Sequence, residues 1–294
     1  MRRIRLTLAL LLSVLACAAN SRDDGPELRC LSCHTQSSDS AVHAIFNTLH
    51  GSIAGGGADA CASCHGASSD HQMAPTGAAP DISYGPRWPS PVEARNAACL
   101  ACHTGGDSAL WAGSTHQRED MSCDSCHSAH QQKALGAAAE GVQQACLGCH
   151  AEVRATLHLP SRHPVAEGKT ACTDCHNPHG GLGEADLHQV SLNENCFSCH
   201  QEKRGPFLWE HPPAAEDCSL CHRPHGSVHE HLLTVRGPAQ CQQCHAAAFH
   251  PSSPYGAGGL PGGGANANLL GKNCLNCHSQ VHGSNHPSGA RLTR

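Results

Sequence analysis

The sequence predicts short α-helices and mostly irregular backbone, with negligible β structure, wrapped around bound groups rather than around the chain's own side chains. Three observations predict this. Only 3% of the 294 residues are aromatic while 30 are Gly and 18 are Pro, so core-filling side chains are scarce and chain breakers abundant. Cysteine and histidine reach 21 and 26, far more than packing requires, which implies metal or cofactor. Twenty of the cysteines form ten pairs of one spacing, each followed by His.

The ten CxxCH motifs are Cys30/Cys33/His34, Cys61/Cys64/His65, Cys99/Cys102/His103, Cys123/Cys126/His127 and Cys146/Cys149/His150, then Cys172/Cys175/His176, Cys196/Cys199/His200, Cys218/Cys221/His222, Cys241/Cys244/His245 and Cys274/Cys277/His278. Two thiols three positions apart can each form a thioether with one haem vinyl group, and the next imidazole then becomes the proximal iron ligand. Zinc ribbons and disulfide scaffolds also pair cysteines. Were His placed at its frequency here, ten hits in ten would occur with probability on the order of 10^-11. The pattern therefore implies ten covalent haems c and a multihaem cytochrome c fold, with coil and short helices around an elongated row of ten haems.

Sixteen histidines stand outside the motifs, and methionine occurs only at Met1, Met73 and Met121, so the distal ligands are expected to be imidazoles and the haems of low potential. Taken two at a time, the motifs repeat an order of motif, free His, motif, free His, which reads as five two-haem modules. The distal candidates are His50 and His71, His116 and His130, His163 and His179, His211 and His225, and His250 and His282. In modules two to four the trailing His follows the proximal one by three positions. His43, His158, His188, His229, His231 and His286 are left as solvated or propionate-bonded extras, except that His286 can replace His282 or His250 in the Gly-rich fifth module. Which iron each distal His serves stays open, because a His trailing one motif can reach a neighbouring iron.

The first residues form an address. Three arginines within residues 1–5, the apolar run 6–15 and the small residues Ala16-Cys17-Ala18 predict a secretory signal peptide over residues 1–18. That run is about half the roughly 20 residues a membrane-spanning helix needs, and no later segment qualifies, so no transmembrane helix is expected. Val14-Leu15-Ala16-Cys17 resembles a lipoprotein cleavage box, which leaves two readings, an N-terminal lipid anchor on Cys17 or loss of Cys17 with the signal. Residues 19–164 and 165–294 then each carry five motifs and are expected to be two pentahaem halves. The net charge of −5 and the lack of a basic run argue against nucleic acid as a partner. Arg outnumbers Lys by 15 to 4, which suits bidentate pairing with haem propionates.

With roughly 28 residues per haem, neighbouring haems must share walls. Helices are expected over residues 41–49, 92–101 and 137–154, and loops over 73–91 and 251–271. Folding is expected to depend on haem.

Several stretches resemble the periplasmic decahaem cytochromes of the MtrA/PioA/DmsE type. They are IFNTLHG ending at Gly51, CHGASSDH ending at His71, SRHP around His163, CHNPHG ending at Gly180, EKRGPFLWEH ending at His211, CHRPHGS ending at Ser227 and CLNCHSQVHGSNHPSG ending at Gly289. The resemblance spans nearly the whole chain after the signal. It implies an elongated haem wire in the periplasm, associated with the outer membrane, whose end enters an outer-membrane β-barrel porin. Electrons would pass between periplasmic or inner-membrane carriers and extracellular acceptors or donors, as in metal or DMSO respiration. It also implies bis-histidine ligation at His50, His71, His163, His179, His211 and His225, and at His282 or His286. Two departures stand out: the lipobox-like Cys17, and the absence of the long N-terminal extension of the phototrophic iron-oxidising branch.

An electron relay is the leading function, since an iron closed by imidazole on both faces exchanges electrons and not substrate. The alternative is a multihaem reductase, which needs an open or unusually ligated iron; every motif here ends in His and none in Lys. A haem-rich electron store without a fixed partner is the third class. A high-spin ferric fraction would favour the enzyme, and unchanged transfer across a porin membrane without this chain would favour the store.

Overall fold

A computed structural model describes residues 26–34, 40–53, 59–131, 139–245, 272–287 and 289–293. The expected signal peptide with Cys17, the candidate ligand His250 and the expected loop 251–271 lie outside the described residues. The chain divides into two compact units, Met1–Thr104 with Asp120–Leu135, and Gly105–Glu119 with Gly136–Arg294. Motifs one to four fall in the first unit and five to ten in the second.

The backbone is mostly irregular, broken by short helices. Motifs one, two, three, five, seven and nine run through or end the α-helices Pro26–Cys33, Asp59–His65, Val92–Leu100, Ala139–Cys149, Leu192–Phe197 and Ala239–Gln242. Motifs four, six, eight and ten form isolated 3-10 turns, Cys123–Ser125, Cys172–Asp174, Cys218–Leu220 and Cys274–Asn276. From module two onward each module thus opens on an α-helix and closes on a 3-10 turn. Among the described residues no helix is long and apolar enough to cross a membrane.

The expected helix over 92–101 forms as Val92–Leu100, with Ala101 as its C-cap. The two others are interrupted. Residues 41–49 are split among Ser40–His43, a 3-10 turn Ala44–Asn47 and Leu49–Ile53, because Thr48 is extended and turns both its N–H and its hydroxyl onto the Ile45 carbonyl. The stretch 137–154 breaks at His150 (φ −83°, ψ 64°) into Ala139–Cys149 and Ala151–Thr156. Among the described residues β structure amounts to β1, Trp209–Glu210, antiparallel to β2, Gly283–Ser284, and the isolated bridges Ser161–Ser227, His176–Leu187 and His222–Leu233.

The chain's own core is small. Among the described residues its buried apolar members are Ile45, Ala60, Trp111, Leu157, Val165, Leu187 and Leu292, and no large side chain is less than 2% exposed. Domains of this length ordinarily bury most of their apolar surface against themselves.

Two loops in the second unit share one construction. After motif six, Asn177 N–H bonds the Asp186 carbonyl and His188 N–H bonds the Cys175 carbonyl; after motif eight, Arg223 N–H bonds Leu232 and Thr234 N–H bonds Cys221. Each loop carries a left-handed pair, Ala185 (φ 54°) with Asp186 (φ 55°) and His231 (φ 57°) with Leu232 (φ 59°). The strain of four non-glycine residues at positive φ is held by these ladders.

Candidate haem sites

Each motif is a single helical turn. The His N–H bonds the carbonyl of the first Cys at 2.9–3.0 Å in motifs one, three and four to ten, and motif two lies within helix Asp59–His65. Residues three and four apart share a helix face, so each turn presents both thiols and the imidazole together. The twenty motif cysteines form no disulfides, and each is partly or fully exposed.

In seven of the ten motifs the two thiols differ in exposure. Every first cysteine is half-buried, whereas the second cysteines Cys33, Cys102, Cys126, Cys149, Cys199, Cys244 and Cys277 are exposed. The His127 imidazole, which closes motif four, is exposed as well. As candidate attachment and ligand residues, Cys102, Cys126, Cys277 and His127 are therefore not enclosed by the chain's own side chains. The reason is positional: the first thiol packs into the body of the chain beside the first thiol of a neighbouring motif, and the second lies at the outer end of its turn. An outward thiol and imidazole on one turn are reachable by a vinyl group and an iron, whereas a structural cysteine is typically buried and inert.

Neighbouring motifs are also neighbours in space within each unit. In modules two to five the first cysteines lie side by side, Cys99 with Cys123, Cys146 with Cys172, Cys196 with Cys218 and Cys241 with Cys274. Between modules, Cys64 lies near Cys99, Cys175 near Cys199 and Cys221 near Cys244.

Eight proximal histidines face eight of the distal candidates. The ring centres are 6.3 Å apart for His34 and His71, 6.0 Å for His103 and His50, and 6.2 Å for His65 and His130. In the second unit they are 6.2 Å for His150 and His116, 6.3 Å for His200 and His163, 6.1 Å for His176 and His225, 6.2 Å for His245 and His211, and 6.1 Å for His222 and His282. His127 and His278 complete the proximal set, on the 3-10 turns of motifs four and ten. The separation within the eight pairs is nearly constant while the angle between ring planes runs from 14° to 88°. Packing rings against each other would tie distance to angle. Two imidazoles on opposite sides of one metal would not: two metal–nitrogen bonds of about 2.0 Å plus about 1.1 Å from each nitrogen to its ring centre span about 6.2 Å.

The ring nitrogens are sorted accordingly. Nδ1 donates to a backbone carbonyl in His65 (Ile82, 2.9 Å), His71 (Ala78, 2.9 Å), His116 (Pro178, 2.8 Å), His130 (Ala41, 3.3 Å) and His163 (Pro224, 2.7 Å). It does so as well in His176 (Ala185, 2.8 Å), His211 (Val281, 2.8 Å), His222 (His231, 2.8 Å) and His278 (Arg291, 2.6 Å). A neutral imidazole that donates through Nδ1 keeps its Nε2 lone pair for a metal. Burial pushes the His65, His225 and His282 imidazoles below their ordinary pKa, which favours that neutral form. Two of the expected extras do the reverse: His43 spends Nε2 on the His34 carbonyl (2.6 Å) and His188 spends it on Thr173 (2.8 Å). His231 contributes its carbonyl to His222. The ring of His179 lies 6.4 Å from that of Trp111, and the His286 N–H bonds the Ser284 hydroxyl at 3.1 Å.

These residues fit haem c. Among the described residues no three His, Cys, Asp or Glu side chains converge as a metal-ion site, whereas a zinc ribbon needs four ligands in a tetrahedron.

Other positioning residues gave weaker signals in the sequence. Asn96 and Asn193, each only 7% exposed, sit three residues before the first Cys of modules two and four. Asn96 accepts the Cys123 N–H at 2.8 Å and donates to the Met121 carbonyl at 3.0 Å. Asn193 accepts the Cys218 N–H at 2.8 Å and donates to Ala214 and Ala215. Each ties the helix of one motif to the 3-10 turn of the next, and Gln143, at the same position in module three, donates to the Val165 carbonyl. Asn193→Leu should leave the Cys218 N–H unpaired and lower stability by about 1–3 kcal/mol, a fall of roughly 2–10 °C in thermal midpoint readable by calorimetry.

Gly180 and Gly226 follow the trailing histidines His179 and His225. A Cβ on Gly180 would collide with the Leu110 carbonyl and one on Gly226 with the Thr156 carbonyl, so the close approach that carries each trailing His requires glycine. In module two the position is Gln131.

Comparison with known proteins agrees with this construction. A model of the doubled CXXCH motif matches residues 163–205 and 211–250, and a model described as cytochrome c-type protein NrfB-like matches residues 61–138. The multiheme cytochrome MtrA of Shewanella baltica (strain OS185) is 42% identical over 90% of this chain and 80% of its own length. With ten CxxCH turns, paired imidazoles and that identity over nearly its whole length, the chain belongs to the MtrA-like multihaem c-type cytochromes, electron carriers rather than enzymes, which hold haem c covalently.

Proposed function

We propose that this chain is a periplasmic decahaem relay. It passes electrons along irons closed on both faces by imidazole, through an outer-membrane β-barrel porin, to or from extracellular acceptors or donors. Bound haem supplies one-electron exchange at iron. The chain's residues attach, orient and order the groups that do so.

The observation that supports this reading best is the assignment that the eight ring pairs suggest. In all but one of them the ligands come from different modules. The His between two motifs goes forward to the first motif of the next module: His50 to the site of His103, His116 to that of His150, His163 to that of His200, and His211 to that of His245. The trailing His goes backward to the second motif of the module before: His130 to His65, His225 to His176, and His282 to His222. Only His71 and His34 pair within a module. His282 thus serves the eighth motif, while His179, His250 and His286 remain the candidates for the irons of His127 and His278, beyond these eight pairs. Each proposed ligand assignment between modules stitches neighbours together, which keeps successive haems close enough for electrons to hop.

Porin and location rest on likeness to MtrA. Liposomes carrying the porin that copurifies with this chain, with reductant inside and a ferric acceptor outside, test the reading. External reduction should require the chain; equal flux without it would refute the conduit.

A further inference from the structure

At the second site, hydrogen bonds tie both ligands, and the loop beside one of them, to the backbone. The His65 Nδ1 donates to the Ile82 carbonyl at 2.9 Å, and the Ile82 N–H returns a bond to the His65 carbonyl at 3.2 Å. The loop that brings Ile82 back is closed by a reciprocal clasp: Asp81 Oδ2 accepts the Ser68 N–H at 2.8 Å and the Ser68 hydroxyl accepts the Asp81 N–H at 3.0 Å. Ser68 is 8% exposed and left-handed (φ 49°), so that clasp holds a strained turn. Two residues after Ile82, the Tyr84 ring meets the His65 ring edge-on, 5.3 Å away at 89°, with its hydroxyl 3.4 Å from the Cys64 carbonyl.

The phenol stands among Cys64, Cys99 and Cys123, cysteines of three successive motifs, and burial pushes its pKa up to about 12. On the other face, His130 also donates Nδ1 to a carbonyl, that of Ala41. In the pairs His176–His225 and His222–His282, only the proximal ring makes such a bond among the described residues.

An imidazole that donates through Nδ1 gives more electron density to its metal, which stabilises the ferric state and lowers the reduction potential. That effect requires the ring to be held in register with its carbonyl. We propose that Asp81 and Tyr84 are positioning residues that hold the His65 imidazole against Ile82 and so set the reduction potential of the second site below that of singly bonded sites. Asp81 acts through the loop closure and Tyr84 through the ring edge; neither touches iron. The proposal rests on the assignment of His65 and His130 to one iron.

The test uses the full-length holoprotein, with haem content counted by mass and each low-spin ferric signal followed by EPR during a potentiometric titration. Asp81→Ala, which removes the acceptor for Ser68, should keep every haem, move the g-values of one signal and shift that signal's midpoint to more positive potential. Asp81→Asn retains an acceptor oxygen and should behave as the native protein. Tyr84→Leu should shift the same signal, and Tyr84→Phe, which keeps the ring, should shift it little.

Unchanged spectra and midpoints in Asp81→Ala would overturn the proposal, as would shifts spread over all signals or an Asp81→Asn effect equal to that of Asp81→Ala. His130→Ala separately tests the ligand assignment. It should convert the Asp81-sensitive signal, and no other, to high spin; conversion of a different signal would show that the pairing fails even if the clasp matters.

Discussion

His163→Ala should open the iron of the seventh motif, not those of the fifth or sixth motifs that flank residue 163 in the sequence. The His163 ring lies 6.3 Å from His200, and its Nδ1 is held by the Pro224 carbonyl at 2.7 Å. Removing it would leave the haem that Cys196, Cys199 and His200 hold without its second imidazole. One low-spin ferric signal in ten should turn high-spin, carbon monoxide should bind one reduced haem, and the haem count should not change. Through-chain electron transfer should fall if the seventh site is one step of the proposed relay. Two proteins with substitutions at Cys172 and Cys175 or at Cys196 and Cys199 identify the haem affected. Loss of the carbon monoxide site only in the second would support exchange of ligands between modules, and loss only in the first would contradict it.

The second large effect concerns folding. The seven buried apolar residues among those described, none of them a large side chain less than 2% exposed, cannot offset the conformational entropy of a chain this long, which runs to roughly 1–2 kcal/mol per ordered residue. Porphyrin faces would supply apolar surface, and an iron held by two imidazoles would join two segments of chain, so the free energy of cofactor binding is expected to be in large part free energy of folding. Chain exported without haem attachment should be degraded. When purified, it should show little protection from protease and no cooperative thermal transition, whereas the haem-loaded protein should be resistant. A stable, protease-resistant apoprotein would contradict this directly.

The parts of the site written in adjacent residues were legible in the sequence. CxxCH is one helical turn, and its chemistry follows from spacing alone. The helix over residues 92–101 was legible too, as was the poverty of the apolar core. The unequal exposure of the two thiols was not, because it depends on which motif packs against which: Cys99 is half-buried beside Cys123, while Cys102 and Cys126 on the same two turns are exposed. The partners of the distal histidines were hidden for the same reason. His163 follows motif five and precedes motif six, and nothing in that spacing says that its ring will face His200; the pairing arises from the way successive modules interlock.

Helices predicted from apolar periodicity were cut at single residues. Thr48 turned onto the Ile45 carbonyl, and His150, the last residue of its motif, left the helical region. The left-handed pairs Ala185–Asp186 and His231–Leu232 carry no glycine to announce them. Asn96 and Asn193 did leave a trace, an Asn three residues before a motif, that becomes meaningful once the next turn's N–H is seen to need an acceptor. In the fifth module the His282 ring faces His222, as the His225 ring of the preceding module faces His176.

The measurement that bears most directly on electron relay through imidazole-closed irons is EPR combined with near-infrared magnetic circular dichroism on the fully oxidised protein, with spins counted against total iron. Bis-nitrogen, low-spin signals should account for all the iron, with ten irons per chain. A high-spin or sulfur-ligated fraction amounting to one iron or more would contradict it, because that iron would have a face open to substrate or a ligand the chain's paired imidazoles do not supply.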